Sequence, residues 1–172
     1  MELIRVQDAD SRKLYELYMT FPENENGYMN NVYGYTYEQF LDWVEMKRNW
    51  TLGKDLPEGY VPDTSYVLAV EDVYVGVFNF RHYLNDFLRE GAGHIGYIIS
   101  PAYRGKGYAT KGLGMVLGIV KRQGLRGETE AYLSVNKDNP ASLKVQQNNG
   151  AYIHHENENE YFTRIPVFES AQ

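Results

Sequence analysis

Arg104-Gly105-Lys106-Gly107-Tyr108-Ala109 is the stretch of this chain with the clearest chemistry. Its two glycines let the backbone come close to a ligand, and its two cations add positive charge. The run follows an apolar segment of strand character, residues 95–99, and a Ser100-Pro101-Ala102-Tyr103 link. It precedes Leu113, Val116, Leu117 and Val120, which recur at helical spacing. Strand, short loop, glycine-rich turn and helix, in that order, make an anion site. N–H groups at a helix start lack partners, and the helix dipole favours negative charge there. The expected ligand is a phosphate or pyrophosphate. It is not held by a P-loop, because Gly105-Lys106 is followed by Gly107 and Thr110 comes too late. Nor is it held by a dinucleotide fingerprint: Tyr108 leaves the third glycine missing, and Glu128 lies in the wrong setting for the acidic partner.

The elements around this turn extend the pattern. Val135-Asn136 ends a strand, Asn139-Pro140-Ala141-Ser142 opens a helix, and Asn148-Asn149-Gly150 ends it. Ala151-Tyr152-Ile153 then begins another strand. With Arg104, Gly107 and Ala109 at the fixed places of an Arg/Gln-x-x-Gly-x-Gly/Ala loop, the chain resembles the GNAT superfamily of acyl-CoA-dependent N-acyltransferases. Within it, a bacterial branch is the most similar, on Leu56-Pro57-Glu58-Gly59, Arg81-His82-Tyr83-Leu84-Asn85 and Gly93-His94-Ile95-Gly96-Tyr97. The resemblance runs over about residues 56–164; the first 55 residues match nothing as specific.

The resemblance implies a single domain over residues 1–172, of mixed α+β class. Its twisted central sheet would be mixed and mostly antiparallel, with about seven strands and about four helices. Two parallel central strands would splay apart around the acyl-CoA site. The backbone of Tyr97, Ile98 and Ile99 would pair with the pantetheine arm. Arg104, Gly105, Lys106, Gly107, Tyr108, Ala109 and Thr110 would hold the pyrophosphate, with Asn139 and Ser142 beside the arm while also capping their helix. The implied donor is acetyl-CoA, the implied acceptor a primary amine on a small molecule or peptide, and no metal is needed. The alternative is a domain of the same fold that senses acyl-CoA without turning it over.

Amide formation from a thioester needs a neutral amine, a stabilised oxyanion and a proton for the thiolate. An alkyl ammonium has a pKa of about 10.4, so a base must take its proton near neutrality. His94, on the strand entering the loop, is the first candidate for that base, and Glu90 the second. Arg81, His82 and Asn85 are expected at the substrate mouth. Many family members carry a tyrosine acid four residues before the glycine that closes the last helix; here Gly150 puts Gln146 at that position. Tyr132 and Tyr108 remain as acids, or the thiolate leaves unassisted. The four histidines show no paired metal spacing.

Composition bounds the rest. At 43% hydrophobic and 23% charged residues the chain suits a globular domain. A net charge of -6 with no basic stripe argues against nucleic acid as a main ligand. No apolar run is long enough for a membrane span, and Met1-Glu2-Leu3-Ile4-Arg5 does not read as a signal peptide. The absence of cysteine removes disulfides and a thiol nucleophile and fits a cytoplasmic protein; a homodimer is allowed. Strands are expected at residues 3–6, 66–70, 74–80, 93–99, 129–135, 151–155 and 161–165. Helices are expected after Asp10-Ser11 and Thr36, and at 107–121 and 140–148. Residues 22–35 and 81–92 read as irregular.

Overall fold

The structure, a computed structural model, describes residues 1–168. Its elements run β1 (Glu2–Arg5), α1 (Ser11–Tyr18), β2 (Asn24–Glu25), β3 (Tyr28–Met29), α2 (Tyr37–Thr51), β4 (Asp63–Val70), β5 (Val73–Arg81), α3 (Asp86–Glu90), β6 (Ile95–Ile99), α4 (Tyr108–Gln123), β7 (Glu130–Asn136), α5 (Pro140–Asn148), β8 (Tyr152–Glu156) and β9 (Glu160–Pro166). β1-β4-β5-β6 form one sheet and β7-β9-β8 a second, seven strands in all, with β2-β3 as a separate small hairpin.

The helices begin where the sequence places its caps. Asp10 accepts a hydrogen bond from Lys13 N at the start of α1, and Thr36 and Gln39 form a capping box on α2. Along β4 and β5 the side chains alternate between two cores. Tyr66, Leu68, Phe78 and Phe80 join Ile95 and Ile99 of β6 under α4, against the four residues Leu113, Val116, Leu117 and Val120. Val67, Val77 and Ile98 face the other way, onto Leu14, Leu17, Tyr18 and Phe40 of α1 and α2. Burying each large aliphatic side chain contributes about 1.5–3 kcal/mol, which is why α4 and β6 keep one fixed relation. Gly112 permits it: a Cβ there would lie 2.2 Å from the Phe78 ring. Close helix–sheet contact thus explains this glycine inside a helix, where glycine costs about 1 kcal/mol.

Three expectations change. All ladders among the described residues are antiparallel, so β6 and β7 do not pair as parallel strands. They meet only at their mouth, through a bridge between Gly93 and Leu133 and a 2.7 Å bond from His94 N to Tyr132 O. Gly93 has φ +67°, and a Cβ on it would lie 2.2 Å from Tyr132 O, so only glycine fits the junction. The two irregular stretches each hold structure as well. Asn26-Gly27 turns the β2–β3 hairpin with φ of +51° and +82°, and Asn85 caps α3 by accepting from Leu88 N. Finally, strict alternation along 151–155 predicts that one of His154 and His155 points to solvent; a register shift between Ile153 and His155 breaks that alternation, and both are exposed.

Candidate active site

Past the Gly93 junction, β6 has no strand on its outer edge, and a cleft of about 1170 Å³ opens along it. Residues Ile95, Gly96, Tyr97, Ile98 and Ile99 line one side and Ser134, Val135 and Asn136 of β7 the other. Unpaired strand backbone at a cleft is a template for an extended ligand to add to the sheet. The cleft continues into the glycine turn. Gly105 and Gly107 have φ of +74° and +77°, and a Cβ on either would meet no protein atom within 4 Å, so these left-handed residues face open space. Gly107 is the N-cap of α4 without a side-chain cap, and the first turn of α4 holds no acidic residue. Its N–H groups are therefore available to an anion.

Tyr97, Ile98, Ile99, Arg104, Gly105, Gly107, Tyr108, Ala109, Thr110, Asn139 and Ser142 all line this cleft. Lys106 does not; its ammonium lies 5.6 Å from the centre of the Tyr103 ring. Arg104 lines the cleft with its guanidinium already engaged. Nε donates to Ile99 O at 2.9 Å, while Nη1 and Nη2 hold Glu25 of β2 at 3.0 and 2.5 Å. Its charge ties the small hairpin to the loop. Asn139 caps α5 by accepting from Ser142 N at 3.2 Å.

A hydroxyl pair sits between β6 and α5. Tyr97 Oη lies 2.8 Å from Ser142 Oγ and donates to Ser142 O at 3.2 Å. Burial pushes the Tyr97 phenol above its usual pKa, so it stays protonated near neutrality. Gln146 is buried close by; its Nε2 donates to Ser134 O at 3.3 Å and its Oε1 accepts from Thr163 Oγ1 at 2.6 Å.

The other end of the cleft is built by the α1–α2 face of the sheet where it emerges from its cover. Val67 and Val77 give way to Ser65 and Asn79, and then to Asp63 and Arg81, each a directly opposed pair across β4 and β5. Ser65 Oγ donates to Asn79 Oδ1 at 2.9 Å. Lys47, from α2, forms a buried ion pair with Asp63 Oδ1, and its ammonium lies 5.0 Å from the Trp50 ring centre. Burial pulls the Lys47 pKa down against the opposing pull of Asp63. Trp43, Trp50 and Tyr60 complete the wall. Apart from Arg81, sequence reading named none of these residues. The signal it could have used was the Asp63, Ser65 alternation in an otherwise apolar strand.

The family model described as "Acetyltransferase (GNAT) domain" matches residues 1–152. The chain belongs to the GNAT family. The match reaches through the first 55 residues, beyond the span of the sequence resemblance. Solved GNAT structures share the fold at low identity. Campylobacter jejuni N-acetyltransferase PseH in complex with acetyl coenzyme A is 13% identical, with 96% of this chain and 97% of that one covered and a TM-score of 0.61. RimL, a ribosomal L7/L12 alpha-N-protein acetyltransferase, is 14% identical over 95% and 88%, at 0.65. A chimera of the spermidine N-acetyltransferase SpeG from Vibrio cholerae and hSSAT is 15% identical over 97% of each chain, at 0.63. No curated protein sequence matches the chain.

The candidate GNAT base, His94, is corrected by its position. It is completely buried and does not line the cleft. Its Nδ1 accepts from Tyr132 N at 2.9 Å, so the proton sits on Nε2, a buried atom without a partner among the described residues. Burial lowers its pKa to about 4. The lone pair a base would use is committed to the strand junction, so in this arrangement His94 offers none to the cleft. Glu90 is exposed at the end of α3, outside the cleft. Tyr132 is outside it too: its hydroxyl donates to Glu128 Oε2 at 2.9 Å, and Arg164 lies 3.4 Å over its ring. Of the expected mouth residues only Arg81 lines the cleft. His82 bonds Thr64 at 2.8 Å on the α4 side, and Asn85 caps α3 while its Nδ2 donates to Gly59 O. Among the described residues no cluster of three or more His, Asp or Glu is arranged for a metal, and no helix is long and apolar enough to cross a membrane.

Proposed function

We propose that the chain is a cytoplasmic N-acetyltransferase that transfers the acetyl group of acetyl-CoA to a primary amine by direct attack. The observation that carries this reading is continuity. The free edge of β6, the two left-handed glycines and the uncapped start of α4 lie along one cleft that ends in a separate polar compartment. The edge suits a pantetheine arm, and the turn suits a pyrophosphate. Acetyl-CoA, when bound, would supply an activated acyl carbon; a C–N bond forms there as the C–S bond breaks, the nitrogen's surplus proton passes to water in the open cleft, and the sulfur takes up one proton in return. The backbone of 96–99 orients the arm, and the N–H groups of residues 108–110 take the phosphate charge. The proton that the leaving sulfur needs comes from Tyr97, a cleft-lining residue of β6 whose hydroxyl lies at α5 near Gln146, which stands where many family members have a tyrosine. Ser142 Oγ, 2.8 Å away, is the partner that fixes that hydroxyl.

The test is an acetyl-transfer screen against an amine library, with coenzyme A release as the readout and thermal stabilisation by acetyl-CoA in parallel. Stabilisation with turnover of some amine supports the reading. Stabilisation with no turnover moves the chain to a sensor of acyl-CoA, a reading that the commitment of Gln146 to Ser134 and Thr163 favours. No stabilisation refutes both.

A further inference from the structure

The cleft is positively charged in an acidic protein. Four cations, Lys47, Arg81, Arg104 and Lys144, line it against three carboxylates, Glu25, Asp63 and Glu160, while the chain as a whole carries -6. The pairing shows which cation is left over at the acceptor end. Arg104 is held by Glu25, and Lys47 by Asp63. Arg81 stands opposite Asp63 in the β4–β5 register but makes no ion pair with it. The single protein hydrogen bond of its guanidinium among the described residues runs from Nη1 to Gly93 O at 3.1 Å. The other guanidinium N–H groups belong to a half-buried side chain that lines the cleft. Asp63 acts on Arg81 only across a distance and is already ion-paired with Lys47, so two cations share one carboxylate there; a cation withdrawn from water on such terms is costly unless a ligand supplies the missing charge.

We propose that the amine acceptor also bears an oxyanion group, a carboxylate or a phosphate, which the Arg81 guanidinium holds. This rests on the N-acetyltransferase reading and adds the acceptor's chemical class. A planar guanidinium presents parallel N–H donors that match either oxyanion in a two-point contact. The same charge helps the reaction: a cation near an amine lowers the amine's pKa and raises the share of the neutral nucleophile. That matters here because His94 and Glu90 both stand outside the cleft. The aromatic wall points the same way. Trp50 is already faced by the Lys47 ammonium, so a polycationic acceptor meets a place that the protein's own amine occupies.

The experiment uses the whole chain, acetyl-CoA and matched acceptors: glycine and glycinamide, 4-aminobutyrate and its amide, phosphoethanolamine and ethanolamine, and spermidine. The anionic member of at least one pair should show about tenfold or greater kcat/KM over its neutral partner, and the carboxylate and phosphate pairs identify which oxyanion fits. Arg81→Gln should erase that preference by slowing the anionic member alone, with acetyl-CoA affinity kept. Arg81→Lys should fall between. Equal or better turnover of the amides or of spermidine by the parent overturns the inference and leaves the transferase reading standing. So does an Arg81→Gln enzyme slowed on every acceptor alike, because that marks a structural role. If no amine is acetylated, the transferase reading fails, and calorimetry of the same acids and amides against the coenzyme A complex decides the anion site separately. Acid-selective binding lost in Arg81→Gln supports it, and binding of neither member overturns it.

Discussion

His94 makes the stability of the protein depend on pH in a way that can be worked out from its surroundings. Its folded pKa is about 4, against about 6.5 for an unfolded histidine. Burial is the main cause, with Arg81, Arg164 and Arg89 adding to it and Glu128 opposing. A group whose folded pKa is depressed stabilises the fold above its unfolded pKa, and that stability is lost as pH falls through the window down to the folded pKa. For His94 the window runs from about 6.5 to about 4. Each unit is about 1.4 kcal/mol, so its neutral form contributes about 3 kcal/mol at pH 7 that is gone below pH 4. Carboxylates titrate in the lower half of this window too, so the parent curve alone does not isolate the histidine. His94→Asn does: its Oδ1 can still accept from Tyr132 N, and it does not titrate. Urea unfolding of both proteins from pH 7.5 to 4 should show the variant less stable at neutrality and the two curves closing by about 3 kcal/mol toward pH 4. Parallel curves would refute the reasoning. A variant that also loses the acidic limb of its rate profile would return His94 to catalysis.

Three other perturbations separate ligand roles from fold roles. Gly107→Ala should cost about 1–2 kcal/mol of stability for its left-handed φ and weaken acetyl-CoA in calorimetry, whereas Gly93→Ala, with Tyr132 O in its way, should cost about 2–5 kcal/mol in urea unfolding; equal effects of the two on ligand affinity would count against the turn as the cradle. Lys47→Met takes the ion-pair partner from buried Asp63 and leaves it the more distant charge of Arg81, so it should lower stability by about 3–5 kcal/mol, with most of it regained in Lys47→Met/Asp63→Leu; a failure of the double variant to recover would show that Arg81 depends on the Asp63 charge. Tyr97→Phe should lower kcat by about 10–100-fold with the KM for acetyl-CoA near the parent's, and an unchanged kcat removes the hydroxyl from the proton step.

The parts of this fold that are local were legible in the sequence. Strand 95–99, the glycine turn and the Leu113, Val116, Leu117, Val120 stripe are contiguous, and each is written by one period or one φ requirement. The Asp10 and Thr36 caps are of the same kind. The Asn26-Gly27 hairpin was missed although that dipeptide favours a two-residue turn, because strands of two residues leave no alternation to read. The polar end of the cleft was legible only at Arg81, because Lys47, Asp63 and Arg81 come from three elements and meet only through the α2–β4 contact and the β4–β5 register.

His94 shows where position along a strand misleads. Its place on the strand entering the glycine turn suggested a side chain beside the reacting groups, which holds only if β6 continues straight through residue 94. Gly93, with its positive φ, ends that regularity: β6 begins at Ile95, and residues 93–94 belong to the junction with β7. A histidine there has one useful lone pair, and Tyr132 N takes it. Tyr97 was read for its backbone, yet its hydroxyl is the one that reaches α5 beside Ser142. Both reversals come from the same geometric fact. Two strands that touch at their mouth and then part must bury whatever stands at the contact, and they must present to the cleft whatever follows it. The junction is therefore packed and glycine-dependent, and the residues two to five positions beyond it line the cleft.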